Sequence, residues 1–160
     1  MIKNYLILLL VTVYIFAAAQ PDINGIHMQM IFVKAGNFEM GNNNGKADAK
    51  PLHTVTLNDF YLGKYEVTQE LWQQVMGIEK AKKFNCMQCP VYDVSMENIQ
   101  VFLSKLNQLS GKHYRLPTEA EWEFAASGGK ESKKFTYCGS NNLEEVAWFA
   151  SNSDMITHPV

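Results

Sequence analysis

An excess of charge of either sign is missing from this chain: 14 lysines and arginines stand against 16 aspartates and glutamates, a net charge of -2 over 160 residues. Such a balance offers no basic field to neutralise a phosphate backbone, so nucleic acid is not an expected partner. Histidine is also sparse. His27, His53, His113 and His158 are scattered without metal-ligand spacing, and His53 and His113 fall in expected strands, where a structural role is the simpler reading. Ser95 and Ser110 have no hydrolase motif around them. No internal repeat or long low-complexity tract is present. From the residues alone, no catalytic, cofactor-binding or metal-ligating residue is assigned.

Cysteine is limited to Cys86, Cys89 and Cys138. Cys86 and Cys89 form a CxxC pair, which in an oxidising compartment suggests a disulfide. A redox-active pair needs a helix N-terminus to stabilise the first thiolate, and here Pro90 and Val91 lead into extended chain. A zinc half-site needs two more ligands, with only Cys138 and the dispersed histidines to draw on. Cys138 is left to pair with either neighbour, to stay free, or to meet a partner outside the chain.

Long hydrophobic runs are absent after the first 19 residues. Lys3 precedes an almost wholly apolar Tyr5 to Phe16, and Ala17, Ala18 and Ala19 supply small residues before Gln20. Residues 1–19 therefore read as a signal peptide cleaved after Ala19, and an uncleaved anchor is the lesser alternative. The run is shorter than the roughly 20 residues that span a bilayer, so no stable membrane span is expected after cleavage. No cysteine near the cleavage point offers a lipid attachment site. The expected location is periplasmic or extracellular. Residues 20–27 read as a linker, and residues 28–160 as one domain with a real core, given 47% hydrophobic content.

Within that domain, Met28 to Val33 and Phe38 to Met40 read as a hairpin turning at Ala35-Gly36-Asn37, followed by a polar surface loop over Gly41 to Pro51. His53, Val55 and Leu57 alternate with polar residues, the period of a half-buried strand, and Phe60 to Val67 is a second extended run. Three helices follow. Thr68 caps the first, with Leu71, Trp72, Val75 and Met76 at helical spacing; Ser95 caps the second, with an apolar stripe of Ile99, Phe102, Leu103, Leu106 and Leu109. The third begins within Arg115 to Ala126, RLPTEAEWEFAA, where Pro117 breaks the extended chain and Thr118 and Glu121 form a capping box. Glu119, Glu121 and Glu123 read as solvated charge compensating the helix dipole, not as a carboxylate pair, and Trp122, Ala125 and Ala126 as a packing face. Short strands with separated helices give an α+β domain.

The same RLPTEAEWE stretch, with GKHYRLP at Gly111 to Pro117, KYEVTQ at Lys64 to Gln69, MIFVKAGNFEMG at Met30 to Gly41 and PVYDVSMENIQVF at Pro90 to Phe102, resembles the formylglycine-generating enzyme family, also called sulfatase-modifying factor. The resemblance spans about Met30 to Val160. It implies a C-type-lectin-like variant fold with short strands, about three helices and long loops. It also implies a parent activity, oxidation of a substrate cysteine to formylglycine in an exported protein or peptide, with copper and calcium as the family's cofactors. In that family a copper-binding cysteine pair follows a GNVWEW-like signature, and neither occurs before Val160, so the expectation is an incomplete, truncated domain inactive alone. The alternative is a non-catalytic exported binding or scaffold module. Asn141, Asn142, Glu144, Glu145, Asn152 and Asp154 form the better calcium donor pool, although Val146 stands where relatives carry an Asn, and a solvated loop of turn formers is the preferred reading.

Overall fold

The computed structural model describes residues 12–13, 26, 28–77 and 86–160. The signal peptide and linker read over residues 1–27 lie outside the described residues, apart from Thr12, Val13 and Ile26. A four-stranded antiparallel sheet runs in the order β2 (Met30–Val33), β5 (Phe60–Gly63), β1 (Thr12–Val13), β6 (Tyr114–Arg115). A separate hairpin pairs β3 (Gly36–Met40) with β4 (His53–Leu57). The expected pairing of Met28–Val33 with Phe38–Met40 is thereby corrected, and Gly36 and Asn37 lie inside a strand instead of a turn. β2 and β3 are consecutive, yet each takes its partner from later chain.

Register explains how the sheet separates two cores. Val33 lies opposite Phe60 and Ile31 opposite Leu62, so these residues share a face, while Phe32 and Tyr61 share the other. On the first face Val33, Phe60 and Leu62 pack with Phe124. On the second, Met30 and Tyr61 lie against a larger core of Val67, Leu71, Trp72, Val75, Val91, Ile99, Phe102, Leu103, Leu106 and Tyr114. Period-two alternation thus decides which helix each strand residue meets.

The helices end where the sequence provides stops. α1 (Gln69–Met76) begins at Thr68, whose hydroxyl accepts from the Leu71 amide at 3.1 Å, and ends at Gly77 in the left-handed region. α2 (Met96–Ser110) begins at Ser95 in a capping box completed by the Asn98 side chain. Leu109 departs from the expected stripe and is exposed. α3 (Glu119–Ala126) begins at Thr118 with the expected Glu121 capping box. Its packing face differs from the expected one: Phe124 is buried and Trp122 is exposed. With only two turns, a shift of one position redirects the whole face.

The hairpin docks on α3 through Phe38 and Phe124, whose ring centroids are 5.3 Å apart. Its connection, the expected polar loop, is fixed at Gly41, whose amide donates to Glu123 Oε1 at 3.0 Å. A Cβ at Gly41 would lie 2.6 Å from the Ala49 carbonyl oxygen, with φ at +91°, so only glycine suits that turn.

Candidate functional site

Cys86 and Cys89 are joined in a disulfide, and the loop they close is stitched to the start of α1. The Gln69 amide donates to the Cys89 carbonyl at 2.9 Å, the Glu70 amide to the Met87 carbonyl at 2.9 Å, and the Val91 amide to the Val67 carbonyl at 2.8 Å. Free amides at a helix start ordinarily invite an anion. Here carbonyls of the disulfide loop already accept from two of them. Cys89 is fully buried, so the pair anchors the loop and is not presented as a thiol couple.

Above this junction lies a cleft of about 460 Å³ lined by residues that include Tyr65, Glu66, Glu70, Gln74 and Gln88. That volume is within the range of small-ligand and peptide side-chain pockets. Glu70 accepts from Gln88 Nε2 at 2.6 Å, which ties the disulfide loop to the cleft wall. The lining is amide-rich and carries two carboxylates. Among the described residues this lining favours a positively charged or hydrogen-bond-donating guest.

The disulfide should matter to this site. Replacing Cys86 and Cys89 with serine is expected to cost about 2 kcal/mol, the chain-entropy value for a very short loop. Urea unfolding of the two forms checks this, and an unchanged midpoint would show that the loop is held by its backbone bonds alone.

Other residues singled out by the sequence are dispersed. Glu121 is buried instead of solvated, correcting its expected role: Arg115 Nη1 and Nη2 donate to its two carboxylate oxygens at 2.7 and 2.6 Å. Burial pushes this carboxyl up, but the Arg115 hydrogen bonds and charge, with the amide and hydroxyl of Thr118, hold it below the usual glutamate range. His53 is exposed on β4, and His113 is exposed just before β6 instead of within it. His158 stacks on Trp148 with ring centroids 3.9 Å apart, and its Nε2 lies 3.1 Å from the Ser153 carbonyl oxygen. Cys138 is free and exposed.

The oxygen-rich loop around Trp148 is bonded to itself. Asn141 accepts from Thr136, Asn142 accepts from the Glu144 amide, Asn152 accepts from the Phe149 amide, and Glu145 accepts from Ser140 and Asn142. Those two hydrogen bonds hold the Glu145 carboxyl below its usual range. Calcium needs six to eight oxygens converging on one point, and these donors instead serve local turns. Among the described residues no group of three His, Cys, Asp or Glu side chains is placed to hold a metal ion. The cleft residues Tyr65, Glu70 and Gln88 were not legible as a site, because no local spacing relates Gln88 to Glu70.

The chain is 39% identical over 133 residues to the chaperone protein LppX of Paenibacillus barcinonensis, covering 62% of this chain and 47% of that protein. It is 28% identical over 155 residues to the serine/threonine-protein kinase Pkn1 of Chlamydia trachomatis, covering 78% of this chain and 24% of the kinase. The chain thus spans about half the length of the first and a quarter of the second. Among solved structures, Treponema denticola variable protein 1 superimposes with a TM-score of 0.73 at 28% identity, over 86% of this chain and 66% of that one. The model of the sulfatase-modifying factor enzyme 1-like domain matches residues 16–156, and the chain belongs to that family.

Proposed function

We propose that this chain is an exported, non-catalytic binding module of the sulfatase-modifying factor family, which holds a peptide segment in the cleft at the start of α1. The observation that carries this reading is the Cys86–Cys89 disulfide, which leaves Cys138 as the one free thiol of three. A Cu(I) centre calls for a pair of soft thiolates, so these residues do not fit the family's copper chemistry. The cleft supports binding, because Glu66 and Glu70 supply negative charge among the side-chain amides of Gln29, Gln74 and Gln88. The word chaperone in the name of LppX agrees with holding a polypeptide over converting one.

The second reading, oxidation of a peptide cysteine to formylglycine, draws on family membership, and one experiment separates the two. The full chain is incubated with a CxPxR peptide, copper and oxygen, with mass spectrometry for aldehyde and fluorescence anisotropy for binding. Binding without a mass change is expected, and Glu66→Gln with Glu70→Gln should weaken it about three- to tenfold, as for partly exposed ion pairs. Aldehyde in the product would overturn the reading. So would an affinity indifferent to both substitutions.

A further inference from the structure

We propose that the cleft at the start of α1 takes a basic side chain of its guest onto the ring of Tyr65, and that Lys64 holds that seat until the guest displaces it. The inference rests on the cleft being a peptide-binding site, and it adds which side chain is read and what competes for it. The Lys64 ammonium lies over the Tyr65 ring, 5.0 Å from its centroid, within the distance of a cation–π contact. Tyr65 lines the cleft, so the ring that carries this cation is part of the site.

Local backbone sets the contact. Neighbours in a strand point to opposite faces, and a lysine one place before a tyrosine would ordinarily be turned away from it. The Lys64 amide donates to the Gln29 carbonyl at 2.8 Å, which carries the β2–β5 ladder one residue beyond β5. The chain then bends at Lys64 and Tyr65 before Thr68 caps α1, and the bend brings ammonium and ring together.

The charges around this contact explain the choice of guest. Glu66 is partly buried in the cleft wall and, among the described residues, has neither a hydrogen bond nor an ion pair. Lys64 is the nearest basic residue in sequence, yet among the described residues it pairs with no carboxylate and lies on Tyr65 instead. A partly buried carboxylate favours a cationic partner, and an exposed cation–π contact is weak enough to be given up. A guanidinium or ammonium brought in by a peptide therefore has a ring face and an unpaired carboxylate to meet in one cleft. A neutral guest has no use for the ring and leaves Lys64 in place.

The test is a titration of the full chain with the labelled CxPxR peptide, and with its counterpart carrying glutamine in place of arginine, read by fluorescence anisotropy. Lys64→Met should bind the arginine peptide about two- to fivefold more tightly than the unsubstituted chain, the range set by an exposed cation–π contact, and the glutamine peptide equally well. In a Tyr65→Leu background the same substitution should lose that gain, which separates a seat on the ring from the mere loss of one positive charge. In parallel, the isotope-labelled ε-methylene of Lys64, shielded by the ring in the free protein, should move toward the unshielded lysine position when the arginine peptide is added. Binding with an unmoved Lys64 resonance, no gain from Lys64→Met, or a gain that survives Tyr65→Leu overturns the proposal and leaves the cleft as a peptide site. Absence of binding by either peptide to any form removes the peptide-binding reading and the proposal with it.

Discussion

Replacing Trp72 with alanine is expected to lower the unfolding free energy by about 3 to 5 kcal/mol, a large share of the 5 to 15 kcal/mol typical of a domain. Trp72 is fully buried on α1 and stacks on Phe102 of α2, with ring centroids 4.9 Å apart and planes 2° from parallel. Removing it deletes the largest side chain of the main core and a stacked contact between the two helices. The cavity would open against Phe102, which α2 cannot follow inward while Ser95 and Gly111 fix its ends. Trp72→Phe should behave differently. The indole Nε1 is buried without a hydrogen-bond partner among the described residues, so phenylalanine gives up some volume but also removes an unsatisfied donor. A loss near 1 kcal/mol is expected, measured as a shift in urea midpoint at constant slope. If the phenylalanine variant lost as much as the alanine one, the indole N–H would have to be making a bond that stabilises the fold.

Trp72 and its neighbours were readable in the sequence because helical spacing and caps are local signals. Leu71, Trp72 and Val75 fall on one face, and Thr68 and Gly77 bracket them. The same holds for Ser95, Ile99, Phe102, Leu103 and Leu106. Strand partnership was not local, and it was the part misread: β2 and β3 look like a hairpin, but their partners lie about 30 and 20 residues onward. α3 shows the limit of periodicity in a short helix. Alanines at 125 and 126 suggested a tight face beside Trp122, whereas Phe124, one position away, reaches the second core and the β3–β4 hairpin. The cleft joins residues from Met28 to Gln88 and beyond, brought together only when the disulfide loop docks on α1. Of that site the sequence signalled the CxxC pair and the Thr68 cap, and nothing of the surface between them.

The largest departure from the sequence reading also yields the sharpest electrostatic prediction. Glu121 has the form of a capping-box glutamate, which at an exposed helix start is worth a few tenths to about 1 kcal/mol. Register makes it more than that. Because Tyr114 faces the helical core, the alternate residue Arg115 faces α3, and its guanidinium meets the Glu121 carboxylate in a two-pronged pair. The Glu121 side chain is 5% exposed and that of Arg115 34%, so removing the arginine strands a buried negative charge. Arg115→Met is expected to cost about 2 to 3 kcal/mol at pH 7, below the range for a fully buried pair because water still reaches the guanidinium. Arg115→Met with Glu121→Gln should recover part of that loss, since no stranded charge remains. The pH dependence should differ between the forms. With Arg115 present, the folded carboxyl lies below its usual value of 4.5, so its contribution is complete above that pH and is lost as pH falls through the lower folded value. Without Arg115, desolvation is opposed by the Thr118 amide and hydroxyl alone, so the folded value rises from its Arg115-held position and the deficit of Arg115→Met should shrink between pH 7 and pH 4. Unfolding free energies at pH 7, 5 and 4 decide the matter: parallel pH profiles for the two proteins would mean that the guanidinium does not set the charge state of Glu121.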